Sequence, residues 1–307
     1  MKLLITGATG LVGGELLRIC KKDGIAVNYL TTRKNKIRNE ADLRGFYWNP
    51  KAGDIDFSCF EGVTTIINLA GASVAKKWTK SYKEEIRASR VDSLKTLFQG
   101  LEKTRNNQVT SLVSASAIGI YPSSLTEYYT EATEAQDSGF LGQVVASWEE
   151  EALKFESLGL KTAVVRIGLV LSSQGGALPQ IVKPIKNYAG AAMGTGEQWQ
   201  SWIHIKDLAG ILMFLGSEGH SGVFNAVAPN PVTNKRLTRE VAKLFKKPLW
   251  LPNIPQFVMK LFFGEMATIL FASQRVSSQK IEKYGYNFRY QNICRALENL
   301  HQNWNDK

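Results

Sequence analysis

Three glycines carry the first chemical signal in this 307-residue chain. Gly7, Gly10 and Gly13 lie in Gly7-Ala8-Thr9-Gly10-Leu11-Val12-Gly13, directly after the apolar run Leu3-Leu4-Ile5. In such a turn the first glycine lets the chain leave a strand sharply. The second lets an anion approach the backbone, and the third lets a following helix pack closely. Thr9, Leu11 and Val12 complete the turn and open the helix, whose free N–H groups and positive dipole end suit a pyrophosphate. A second apolar run, Ile25 to Leu30, ends in Thr31-Thr32-Arg33-Lys34. An acid about 20 residues past the glycines would accept from a ribose 2′-hydroxyl, whereas a guanidinium pairs with a 2′-phosphate. Arg33 therefore points to NADP rather than NAD. The plain alternative is a solvated basic loop that also holds Lys34, Lys36 and Arg38.

Further candidates fall at the ends of later apolar runs. Asn68-Leu69-Ala70-Gly71 would line the adenine and ribose side of a cofactor, and a strand-to-loop turn is the plain alternative. Ser114-Ala115-Ser116-Ala117 ends the next run. Ala115 would lie against the nicotinamide, and the hydroxyls of Ser116 and Ser114 could bond a substrate hydroxyl or carbonyl. Close packing of small residues explains the same segment without chemistry. Tyr121 reads as a pocket wall or, more plainly, a buried core residue. His204 and Asp207 could form an acid–base pair. Lys76, Lys77 and Trp78 follow Gly71 and read as anion contacts or a solvated face. Arg166, inside an apolar run, could pair with an acid from the C-terminal part. Trp199, Trp202, Trp250 and Trp304 read as core residues.

The elements that must position these residues are legible as alternation. Thr64–Leu69, Ser111–Ser114 and Thr162–Ile167 read as buried parallel strands, and Tyr82–Leu101 and Phe140–Leu158 as the helices between them. Arg44–Pro50 reads as a short third strand. After Gly168 the pattern breaks at glycines and prolines, and Ser201–Ile205 resumes as a strand with a helix at Asp207–Leu215. The fold class expected is α/β, a Rossmann doubly wound parallel sheet with a small mixed C-terminal domain. Residues 1–170 make the NADP-binding domain, to which later segments can return, and residues 171–307 a smaller substrate domain.

Composition bounds the rest. The net charge of +11 suits anionic, including nucleotide-linked, small-molecule substrates. The basic residues are spread along the chain without a nucleic-acid motif, so no specific nucleic-acid partner is expected. No apolar run reaches the ~18–20 residues of a membrane span, and a strand at the N-terminus argues against a cleaved leader. Cys20, Cys59 and Cys294 have no metal spacing. A reduced cytoplasmic protein with neither metal nor disulfide is the expectation.

Taken together, Thr6–Gly13, Asn68–Gly71, Ser114–Tyr121 and Ser201–Leu208 occur in the order seen in extended short-chain dehydrogenase/reductases, and Ser89-Arg90-Val91, Val223–Pro229 and Ser273–Val276 are similar to segments of one atypical branch of that group. The chain most resembles the atypical epimerase-family branch of that group, over nearly its whole length. The resemblance implies an NADP-binding Rossmann domain, a small C-terminal substrate domain and, by analogy of fold alone, a homodimer through Tyr82–Leu101 and Phe140–Leu158. It makes the segment holding His204 and Asp207 a structural one that joins the two domains. It also exposes a departure. Extended members place a tyrosine, and a lysine four residues on, in the helix after the serine-bearing strand. Here those places hold Leu141 and Val145, and the asparagine usual in the preceding helix is Arg90. Three readings follow: an oxidoreductase or epimerase whose proton passes through Ser116, a water or the second domain; an NADP-binding sensor or scaffold without turnover; or an anion binder with a structural cofactor.

Overall fold

The computed structural model describes residues 1–104 and 106–304. Seven parallel strands build the central sheet: β1 (Lys2–Thr6), β2 (Ala26–Thr31), β3 (Leu43–Asn49), β4 (Thr65–Asn68), β5 (Ser111–Ala117), β6 (Lys161–Ile167) and β7 (Gly222–Ala226). Their order across the sheet is β3-β2-β1-β4-β5-β6-β7. The strand order reverses between β1 and β4, and a crevice opens at the carboxyl ends of strands on either side of such a switch point. Thr6 pairs with Leu30 on one side and Asn68 on the other, so these strand ends meet there.

The strands form because both of their faces are covered. Leu3, Leu4 and Ile5 are all buried, as are Ile66, Ile67, Leu112 and Val113. Such continuous apolar runs are characteristic of parallel sheets flanked by helices. Helices α1 (Leu11–Lys22) and α5 (Ile205–Glu218) cover one face through Leu16, Cys20, Leu208, Ile211 and Leu212. Helices α2 (Lys80–Lys103) and α3 (Phe140–Leu153) cover the other through Leu94, Leu97, Trp148 and Ala152. Thr79 caps α2 by accepting from the Tyr82 N–H at 3.2 Å.

Helices α4 (Ala177–Lys186), α6 (Asn234–Leu244) and α10 (Ile293–Gln302) make a separate core of Leu178, Val182, Val241, Ala296 and Leu297 around Trp202. Between α6 and α10 lie α7 (Gln256–Phe263), α8 (Ala267–Phe271) and α9 (Gln279–Lys283). Tyr128–Tyr129 pairs in parallel with Arg275–Val276 and ties this region to the loop after β5. Among the described residues no helix is long and apolar enough to cross a membrane.

Two sequence expectations are adjusted here. The run Ser201–Ile205 gives only Trp202–His204 as a strand, paired with Leu169–Leu171 outside the main sheet. Helix α5 then starts at Ile205 because the His204 Nδ1 caps it, accepting from the Lys206 N–H at 3.1 Å. Trp202 and, in part, Trp199 and Trp304 are buried, but Trp250 is exposed, in a segment between Pro248 and Pro252 that is neither helix nor strand.

Candidate functional site

The turn between β1 and α1 is a bare backbone cradle. Gly7 has φ +65°, a left-handed conformation that disfavours any side chain, and a Cβ there would lie 2.7 Å from the Leu69 carbonyl oxygen. A Cβ on Gly13 would lie 2.3 Å from the Gly7 oxygen and 2.6 Å from the Ala8 Cα. The turn closes with the Gly10 N–H donating to the Gly7 oxygen at 2.9 Å. No side chain caps α1 at Gly10. Thr9 and Gly10 are exposed and Leu11 and Val12 half-buried, so the first turn of α1 faces outward over the crevice.

Asn68, Leu69, Ala70 and Gly71 come beside this turn through a network that sequence reasoning missed. The Thr6 hydroxyl donates to Asn68 Oδ1 at 2.7 Å and accepts from the backbone N–H groups of Leu69 and Ala70, each at 3.0 Å. Asn68 Nδ2 donates in turn to Ser114 Oγ at 3.3 Å. Ser114 is thus built into the scaffold that holds the β4 and β5 ends together. Arg33 stands just past β2, exposed, and no ion pair engages it among the described residues. The cradle and the uncapped helix start fit a dinucleotide.

A cleft of about 700 Å³ lies over the ends of β5 and β6, between the sheet and the α7–α8 region, and none of Gly7–Gly13, Arg33 or Asn68–Gly71 lines it. Ala117, Leu141, Val144, Val145 and Trp148 form its sheet-side wall, and Thr268, Ile269 and Phe271 face them. The two positions that depart from the extended-reductase pattern, Leu141 and Val145, are therefore in the wall itself. Ala115 and Ser116 are buried and do not line the cleft; their neighbour Ala117 does. Trp78 joins the wall, whereas Lys76 and Lys77 are exposed.

Ser116 has a committed partner. Its hydroxyl donates to Glu149 Oε1 at 2.5 Å. Glu149, on α3, also accepts from Arg166 Nε at 2.9 Å and Nη2 at 2.8 Å. Arg166 thus pairs with an acid of the cofactor half of the chain and not with one from the C-terminal part, which corrects the sequence reading. Arg166 Nη1 donates to the Tyr121 hydroxyl, which donates to Asn225 Oδ1 at 2.8 Å. Tyr121 is 1% exposed and stacks on Tyr129, so it is a core residue, not a pocket wall. Glu131 reaches the same network by accepting from the Asn225 N–H at 2.8 Å.

His204 and Asp207 do not form an acid–base pair at the cleft. Asp207 accepts from the backbone N–H groups of Arg289 and Tyr290 at 2.9 and 3.0 Å and so clamps the C-terminal segment to α5. Burial raises the Asp207 pKa, with those two N–H groups opposing. Burial holds the His204 imidazole down at about 3, with Lys206 adding to the shift and Asn299 opposing it. The folded chain keeps His204 neutral where the unfolded chain, with an ordinary value near ~6.5, takes up a proton. Its stabilising contribution is complete above that value and is lost as pH falls toward the folded one. Between pH ~7 and ~5 the loss should be about 2 kcal/mol. His204→Asn keeps an oxygen for the cap and should flatten that part of the profile. Urea unfolding near pH ~7 and ~5 reads the difference.

The strand order, the glycine cradle at the switch point and the cleft beyond it define an extended, Rossmann-type dinucleotide-binding protein. The NAD dependent epimerase/dehydratase family matches residues 3–226, and a domain of unknown function (DUF1731) matches residues 254–300. The chain belongs to the NAD dependent epimerase/dehydratase family. It is 38% identical over 300 residues to the epimerase family protein SA0724 of Staphylococcus aureus strain N315, covering 97% of this chain and 98% of that one. The structure resembles that of the human epimerase family protein SDR39U1 (isoform 2) with NADPH, at a TM-score of 0.85 and 25% identity over 99% of this chain and 100% of that one. It also resembles a nucleoside-diphosphate sugar epimerase from Corynebacterium glutamicum, at a TM-score of 0.75 and 30% identity over 97% of this chain and 57% of that one.

Proposed function

We propose that this chain binds NADP(H) at the β1–β4 switch point and acts as an oxidoreductase or nucleotide-sugar epimerase-like protein without the tyrosine–lysine pair. The observation that carries this reading is the intact Gly7–Gly13 cradle with the free, exposed Arg33 beside it. Gly7, Thr9, Gly10, Leu11, Val12 and Gly13 would hold the pyrophosphate, Arg33 the 2′-phosphate, and Asn68 to Gly71 the adenosine side. Ala115 would back the nicotinamide. Residues 1–170 supply this half, to which Ile205–Ala226 returns, and residues 171–307 supply the rest of the substrate side. The human relative, whose structure contains NADPH, supports the choice of cofactor.

When bound, the nicotinamide supplies or accepts the hydride. The chain's own part is to exclude water with the apolar wall of Leu141, Val144 and Val145 and to order the strand ends through Thr6, Asn68 and Ser114. Ser116 keeps acceptor lone pairs while its proton is held by Glu149. Arg33→Ala should weaken NADPH by about 10–100-fold and leave NADH unchanged, as calorimetry would read, because a charged hydrogen bond contributes ~1.5–3 kcal/mol. Equal losses for both cofactors, or none, would refute the assignment of Arg33.

A second reading, in which NADP(H) is held without turnover by a sensor or scaffold, is favoured by the commitment of the Ser116 proton and by Leu141 and Val145 in the wall. Loading the protein with NADPH and following its ultraviolet absorbance against carbonyl compounds and sugar nucleotides separates the two. Steady oxidation that Ser116→Ala abolishes supports the enzyme. Tight cofactor binding with no oxidation supports the sensor.

A further inference from the structure

Among the described residues, one cation in the cleft has no anion to balance it. Arg90, on α2, lines the cleft with its guanidinium 5.0 Å from the centre of the Trp148 ring. Its Nη1 donates to the carbonyl oxygens of Ala72 at 3.2 Å and Ile86 at 2.8 Å, both neutral acceptors. A Cβ on Gly71 would lie 3.2 Å from its Cζ, so the group lies close against bare backbone just past β4. Among the described residues no carboxylate forms an ion pair with Arg90, and its Nε and Nη2 have no acceptor. Burial lowers its pKa to about 10, with only Tyr82 opposing. The cleft's two acids are already engaged: Asp137 accepts from the Gly139 N–H at 2.8 Å, and Glu265 is paired with Lys83.

We propose that the cleft binds an organic anion, a carboxylate or phosphate monoester on an apolar body, with its charged end on the Arg90 guanidinium. The Trp148 ring and the two carbonyls fix the plane of the guanidinium, which leaves an ordered fork for two anionic oxygens. The uncompensated charge in an apolar wall makes the same group discriminate against neutral ligands of equal shape. Leu141, Val144 and Val145 take the apolar body. This rests on the reading of the cleft as the substrate side of an NADP(H) site.

The test is calorimetry with benzoate, phenyl phosphate and benzamide at fixed ionic strength, with and without saturating NADPH. At least one anion should bind about tenfold or more tightly than the amide, and benzoate against phenyl phosphate distinguishes the two anion classes. Arg90→Met should abolish that preference while NADPH affinity holds. If Arg90→Met does not fold, phenylglyoxal labelling of wild-type Arg90, read by peptide mass, should be slowed by the anion and not by benzamide. Equal affinity for anions and amide, or a preference that survives Arg90→Met, overturns the proposal. So does a loss of NADPH affinity in Arg90→Met, which would give Arg90 to the cofactor's phosphates. Anion preference without any NADPH binding would overturn the cofactor reading on which this one rests, whereas loss of the preference with NADPH binding intact would overturn this one alone.

Discussion

Arg166→Met should lower the stability of the fold by about 3–5 kcal/mol, the usual consequence of stranding one member of a buried ion pair. Arg166 on β6 is 7% exposed and Glu149 on α3 is 9% exposed, and two bonds of 2.9 and 2.8 Å join them. Burial alone would lower the guanidinium pKa, but the Glu149 carboxylate more than offsets this and leaves it raised. The Arg166 guanidinium is therefore charged in the folded chain. Methionine fills a similar volume, so the loss is one of charge balance more than of packing. The Glu149 carboxylate would keep only the Ser116 hydroxyl, and the Tyr121 hydroxyl would lose its cationic donor while still bonding Asn225. The urea midpoint reads the effect. Arg166→Met combined with Glu149→Leu should be less destabilised than Arg166→Met alone, because no unpaired charge stays buried. Additive losses would mean that the pair stabilises through packing and not through its charges.

That pair also marks where the sequence stops being readable. The strands were legible because burial on both faces leaves nearly unbroken apolar runs, and the glycine turn because its spacing reports backbone geometry directly. Arg166 stands in an otherwise apolar strand, which signals a partner without saying which one. Glu149 could have been found by helical phase. It shares the face of Val145, Trp148 and Ala152, all buried, while Glu150 and Glu151 point away from that face. Ser116 could then have been placed beside it, since Ser116 and Arg166 are register partners across β5 and β6. The cleft was harder. Leu141 and Val145 were visible as departures from a pattern, but their place in the wall depends on how α3 and the α7–α8 region come to line one cleft, an arrangement of distant segments that no local spacing encodes.

The cradle admits a sharper experiment, because two adjacent glycines make opposite predictions. Gly13→Ala would put a Cβ 2.3 Å from the Gly7 oxygen and within 3 Å of the Ala8 backbone, atoms that cannot rotate away. The β1–α1 turn must open, and the N–H groups at the start of α1 move with it. NADPH affinity should fall about 100-fold or more, since ~3 kcal/mol of phosphate contact depends on that placement. Gly14 is one residue further along the same helix, and a Cβ there meets nothing within 4 Å. Gly14→Ala should therefore leave NADPH affinity intact and stabilise the fold by up to ~1 kcal/mol, the difference in helix propensity. Calorimetric titration with NADPH and urea unfolding of both variants give the four readings required. If Gly13→Ala folds and binds like the parent, the turn is not holding a pyrophosphate. If Gly14→Ala also loses binding, the effect comes from general damage to α1 and not from the close approach at Gly13.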